Sequence, residues 1–196
     1  METPKNSTET RFSPQQVADR FEYAKAFREQ AESDFRIFTL LSGSRKAIDF
    51  GFSPEKCHLV HYLQMSLEKI AKAYRMRDQK VPMEKVLSRH VVIQKLMGAL
   101  IASRHVQVAS GLKAPVLKGL SSQFNQIARE IEKMAPAVDR QKNPVNAEYP
   151  WERAGKVVAP CKFDFPNLDL SNSGVWGHFL KIVALAIRDF DRISIG

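Results

Sequence analysis

Acidic residues are missing from one long stretch of this chain: none occurs between Glu84 and Glu130. Seven Lys and Arg side chains fall inside it (Lys85, Arg89, Lys95, Arg104, Lys113, Lys118 and Arg129), with His90 and His105 beside them. A field of one sign favours polyanions, nucleic acid above all; the competing reading is a solvated basic surface to which the fold brings Glu or Asp from other helices. Cysteine is scarce: Cys57 and Cys161 stand far apart in sequence, without ligand-like spacing. That argues against a disulfide framework or a zinc site, and makes a reducing, cytoplasmic setting the expectation. No apolar run approaches the roughly 20 residues needed to span a bilayer, so no membrane partner is expected. Met1 to Arg11 lacks an apolar core, so no secretory signal is read there. No glycine-rich phosphate loop follows a strand, since Gly43-Ser44-Arg45 is too short. No His-Glu-x-x-His zinc pair occurs, and no cofactor is expected. His58 and His61 stand three apart on a helix, but no third ligand joins them at helical spacing, and a metal site needs at least three.

What remains is helical. The 196 residues fit one domain, with a disordered tail over 1–12 and a single unit over 13–196. Ser13-Pro14-Gln15-Gln16 reads as a helix start, with Ser as N-cap, Pro at the first position and Gln closing a capping box. A 3/4 apolar repeat follows through Val17, Phe21, Ala24, Phe27, Ala31, Phe35, Phe38 and Leu41. Gly43 is a plausible stop, and 43–52 reads as a linker. Ser53-Pro54-Glu55-Lys56 opens a second helix by the same device. Val60, Leu63, Leu67, Ile70 and Tyr74 form its seam, and it runs to about Met76. Glu68, Lys69 and Lys72 lie off that seam and read as a solvated face with local ion pairs. The competing reading makes them, with His61, the lining of a groove.

Pro82 interrupts the pattern. Ser88 is the expected cap of a third helix, with core positions Val91, Leu96, Leu100 and Ile101. After Gly111 and Pro115 a fourth helix carries Val116, Leu120, Phe124, Ile127, Ile131 and Met134, and Pro136 ends it. Residues 136–173 form a long loop rich in Pro and aromatics, in which Val157-Val158 and Lys162-Phe163-Asp164-Phe165 are candidate extended pieces. Glu148, Tyr149 and Trp151 are expected to anchor it, since Tyr and Trp pair a large apolar body with a polar tip. A last helix starts near Ser173 and uses Trp176, Phe179, Val183, Ile187, Phe190 and Ile193. The expectation is an all-α, up-down bundle of about five helices, with the aromatic loop before the last.

The run His61-Tyr62-Leu63-Gln64-Met65-Ser66-Leu67-Glu68-Lys69-Ile70-Ala71-Lys72-Ala73-Tyr74 resembles the second helix of HEPN domains (higher eukaryotes and prokaryotes nucleotide-binding). Ser88-Arg89-His90-Val91-Val92 looks like the segment that opens their third helix. Asn146-Ala147-Glu148-Tyr149-Pro150-Trp151 looks like the Tyr-Pro motif after their fourth. The likeness runs over roughly 14–192. It implies a helical bundle, often a homodimer, in prokaryotic toxin–antitoxin or defence systems. Some members are metal-independent ribonucleases; others bind nucleic acid or a protein partner such as a nucleotidyltransferase. The catalytic members place an Arg five to seven positions before a His. None of His58, His61, His90, His105 and His178 has one, although Lys85 and Lys56 precede His90 and His61 by that distance. Lys lacks the bidentate fork of Arg, so no catalytic residue is carried over.

The leading expectation is a nucleic-acid- or partner-binding module. Its footprint is Lys85, Arg89, His90, Lys95, Arg104 and His105 for RNA or DNA, with a groove at His61, Glu68, Lys69 and Lys72. The alternatives are a ribonuclease that joins His90 or His105 to an Arg from another helix, and a purely structural dimerisation module built on the Phe-rich first helix.

Overall fold

The computed structural model describes residues 13–43, 55–90, 92–135, 138–168 and 173–195. The tail 1–12, most of the 43–52 linker, Ser53-Pro54, Val91 and Pro136 lie outside the described residues. The rest is an all-α bundle with one small hairpin. The helices are α1 (Pro14–Gly43), α2 (Lys56–Arg77), α3 (Met83–Leu87), α4 (Ile93–Ala102), α5 (Arg104–Ser110), α6 (Ala114–Glu132) and α7 (Ser173–Arg188). Strands β1 (Trp151–Arg153) and β2 (Lys156–Val158) pair antiparallel, and 3-10 turns cover Pro160–Lys162 and Phe190–Arg192.

Helix α1 starts with the expected capping box. The Gln16 amide donates to Ser13 Oγ at 3.2 Å, and the Ser13 amide donates to Gln16 Oε1 at 2.9 Å. Its inner face carries Ala24, Ala31 and Phe38, with Phe27 and Phe35 half-buried. Phe21 is not part of it: it is 62% exposed, and Arg20 is buried in its place. The reason lies at the far end of α2, where four C-terminal carbonyls have no intrahelical partner. Arg20 Nε donates to the Met76 carbonyl (2.9 Å), Nη1 to Val81 (2.7 Å), and Nη2 to Asp78 (2.7 Å) and Arg75 (3.2 Å). With Ser66 Oγ donating to the Ala31 carbonyl at 2.8 Å, these contacts run α1 and α2 antiparallel.

Helix α2 is the central element and packs against α1, α3, α4, α6 and α7. All five seam residues read from the sequence are buried. Tyr74 donates from its hydroxyl to the Ala186 carbonyl at 2.9 Å and meets Phe190 edge-on at 4.8 Å. Arg77 donates to the carbonyls of Phe190 (2.6 Å) and Ile193 (3.1 Å), so α2 is fastened to the segment after α7. Phe190 and Ile193 therefore belong to the core from beyond the end of α7.

The expected third helix is divided. Ser88 ends α3, its amide donating to the Glu84 carbonyl, and it does not cap the next helix. The N-terminus of α4 is capped from α6: Glu132 accepts from the Ile93 amide and from Gln94 Nε2, both at 2.6 Å. A carboxylate there meets orphan amides and the positive end of the helix dipole. Ser103 is extended (φ −68, ψ 124), which separates α4 from α5. Gly111 takes φ +68 as the C-cap of α5. On α6, Leu117 is buried where Val116 was expected, and Val116 is exposed.

The 138–168 segment is held by its own contacts. Arg140 donates to the carbonyls of Ala135 (2.7 Å), Met134 (3.0 Å), Lys133 (3.2 Å) and Val145 (3.0 Å), which closes the end of α6. Glu148 pairs with His61 on α2 at 3.0 Å, and Trp151 is buried edge-on to Phe163 at 5.1 Å. Tyr149, expected as an anchor, is instead exposed. Lys162 sits in a 3-10 turn and not in an extended piece, while Val157-Val158 falls in β2. No helix among the described residues is long and apolar enough to cross a membrane.

Candidate nucleic-acid interface

Glu68, Lys72 and Arg75 recur at i, i+4 and i+7 on α2, so they share one helix face. The turn between α3 and α4 passes over that face and brings His90. His90 Nδ1 lies 2.7 Å from Glu68 Oε1, and Lys72 Nζ lies 3.0 Å from the same oxygen. Lys72 also donates to the Leu87 carbonyl at 3.1 Å, and Gln64 Nε2 donates to Glu68 Oε2 at 2.9 Å. Glu68 is 8% exposed and Lys72 only 5%. The expectation of a solvated face is corrected here. Buried charges need partners, and Glu68 and Lys72 have them in each other, in Gln64, in Leu87 and in His90. Lys69 turns the other way, to Asp34 Oδ2 of α1 at 2.5 Å. His61, two turns earlier and paired to Glu148, is not part of this cluster.

The six basic residues fall into two groups. Lys85 on α3, Arg89 in the turn, His90, and Lys95 in the first turn of α4 gather at the α3–α4 corner; Lys85, Arg89 and Lys95 are exposed. Arg104 and His105 open α5, about 15 Å farther along α4 by helix rise. His105 Nε2 lies 2.9 Å from Asp189 Oδ2, and Arg188 forms a two-pronged contact with the same carboxylate (2.7 and 2.8 Å). His105 is therefore committed to a carboxylate from α7's end. Lys85, Arg89, Lys95 and Arg104 have no carboxylate partner among the described residues.

Arg75 was not singled out from the sequence, although its i+7 spacing from Glu68 was the available signal. One of its guanidinium nitrogens, Nη1, is buried without a hydrogen-bond acceptor. Burial lowers its pKa from the ordinary Arg value, and the charge of Arg89 lowers it further. The Nη1 donor is sealed from solvent, so what an approaching anion meets is the exposed Arg89, whose charge raises the cost of ionising Arg75 and which negative charge would offset.

A carboxylate only accepts, so the proton between His90 and Glu68 sits on Nδ1, and Nε2 of the half-buried ring has no hydrogen-bond partner among the described residues. Among the described residues, no group of three or more His, Cys, Asp or Glu is arranged to hold a metal ion. No protein-family model matches the chain, and no curated protein or solved structure matches it either.

Proposed function

We propose that the protein is a HEPN-like nucleic-acid-binding bundle that engages RNA at the α3–α4 corner. The observation that carries this reading is the set of exposed cations, Lys85, Arg89 and Lys95, without carboxylate partners, beside Arg75 with its unmet donor. Arg104, about 15 Å away at the start of α5, is a second exposed cation; His61, Lys69 and Lys72 are paired with carboxylates within the fold. Binding to a single-stranded RNA should weaken with salt, log K falling by about 0.7 per neutralised phosphate in log salt. Replacing Lys85 and Arg89 by Ala should lower that slope by about 1.4 and leave the melting temperature within a degree or two. Fluorescence anisotropy across a salt series measures it. No binding to RNA or duplex DNA at low salt would end this reading. Within it, a genomic neighbour encoding a nucleotidyltransferase or a toxin favours the prokaryotic defence setting.

A second reading, a metal-independent ribonuclease, draws on the Glu68–His90 pair. Nε2 of His90 would take the 2′-hydroxyl proton as that oxygen attacks phosphorus, Arg75 and Arg89 would steady the phosphate charge, and the phosphorus–oxygen bond to the 5′-oxygen would break as that oxygen takes a proton from solvent water, leaving a 2′,3′-cyclic phosphate. Total RNA in EDTA should be cleaved by the wild-type protein and spared by His90→Ala. Equal cleavage by both removes His90 from the reaction. The dimerisation reading rests on α1, where Phe21 and Tyr23 are exposed near one end and Leu40 about 28 Å farther along the helix.

A further inference from the structure

We infer that a cavity under the β1–β2 hairpin is a binding site for a small aromatic carboxylate. The site is separate from the basic corner and does not depend on RNA binding. The cavity measures about 400 Å³, within the usual range for small-molecule sites. Its body is apolar, lined by Met134, Trp151, Phe163 and Leu168. Trp151 and Phe163 meet edge to face at 5.1 Å, and Phe163 meets Phe165 the same way. Phe165 is held at φ +45, a conformation costly for a residue with a Cβ. Backbone strain of this kind collects at ligand sites.

The polar groups of the wall are unbalanced towards donors. The Trp151 ring lines the cavity, while its indole N–H is sealed behind the wall and has no acceptor among the described residues, so the donors that face a ligand are those of Arg153 and Lys142. Arg153 lies over the Phe163 ring at 5.7 Å and has no carboxylate partner among them. Lys142 has only Asp139 at 3.6 Å, an exposed pair of little strength. Among the described residues the one carboxylate of the wall is Glu130, already met by Lys133 at 2.7 Å and by Asn167 at 3.1 Å. A ligand that fits must bring a flat apolar body and its own acceptors. An uncharged aromatic gains nothing from the exposed Arg153 and Lys142 at the rim, and a small anion without a ring leaves the apolar body empty. A ring carrying one carboxylate satisfies both.

Calorimetric titration of the full chain with trans-cinnamate, cinnamyl alcohol and acetate tests this. Cinnamate should bind with a dissociation constant below about 1 mM, and the other two at least about tenfold more weakly. Arg153→Gln should weaken cinnamate about tenfold and leave cinnamyl alcohol unchanged. In a nitrogen–proton correlation spectrum, cinnamate should move one indole signal, the one missing from Trp151→Phe, and leave that of Trp176 in place. Absence of binding at about 5 mM cinnamate overturns the site. So does equal affinity for cinnamyl alcohol, or an Arg153→Gln variant that binds cinnamate as the wild type does.

Discussion

Arg20, Arg77 and Arg140 raise the formal charge, yet each guanidinium donates to carbonyl oxygens, although Arg77 also remains exposed. Each closes a chain end: Arg20 the end of α2, Arg140 the end of α6, and Arg77 the segment after α7. The net charge of +9 therefore overstates what a polyanion can use. Arg20→Met keeps the apolar stem and removes four donations to carbonyls. It should cost about 2–3 kcal/mol, read as a lower urea midpoint at unchanged slope. An unaltered midpoint would show that water replaces the guanidinium at no cost. Of the cluster at Glu68, the i, i+4 pairing of Glu68 with Lys72 was legible in the sequence. Its burial was not, because the groups that cover it, Leu87 and His90, arrive on a turn whose path no local pattern specifies. That acidic residues from other helices come close to the stretch from Glu84 to Glu130 was one of the two readings of the sequence; that they are Glu68, Glu132 and Asp189 was not legible, because they stand far from their partners in sequence.

At the scale of elements, starts with local chemistry were readable and starts with distant chemistry were not. The Ser13–Gln16 box opens α1 as its residues alone require. The start of α4 depends on Glu132, 39 residues away from the Ile93 amide, and the nearby Ser88 was the wrong choice. The β1–β2 hairpin was half read, as Val157-Val158, for a similar reason: its first strand is set by the burial of Trp151. Its two-residue loop places Ala154 at φ 51 and Gly155 at φ 71, the pattern of a type I′ turn. Asn tolerates the first of these positions better than Ala. Ala154→Asn should therefore stabilise the protein by about 0.5–1 kcal/mol, seen as a higher melting temperature. A lower melting temperature would mean that the turn is not of this type.

For the whole molecule, Asp189 clasps α7 to α5. Arg188 holds its carboxyl far below the ordinary carboxylate range, and His105 adds to the effect. A lowered folded-state pKa gives stability that is present above the unfolded value, near about 3.9, and is lost as pH falls towards the folded one. Asp189→Asn should melt below the wild type at pH 7, and the gap should close as pH drops below about 4. A gap that stays constant through that range would assign the loss to packing and not to charge. The bundle itself was legible because its five-residue seam on α2 is a single uninterrupted period. The cavity under the hairpin was not, because it is assembled from α6 and a loop without periodicity.

The two fastenings of α2 also set a folding order. Arg20 reaches its Met76 partner across 56 positions of sequence, whereas Arg77 reaches Phe190 across 113. Doubling a loop costs only about 0.6 kcal/mol in closure entropy, so neither fastening dominates the final stability. Their timing differs, because contacts nearer in sequence form sooner. The α1–α2 hairpin should be the earlier structure to protect its amides in a pulsed hydrogen-exchange experiment. The docking of α7 against Tyr74 and Arg77 should then be the late event that turns a helical hairpin into a closed core.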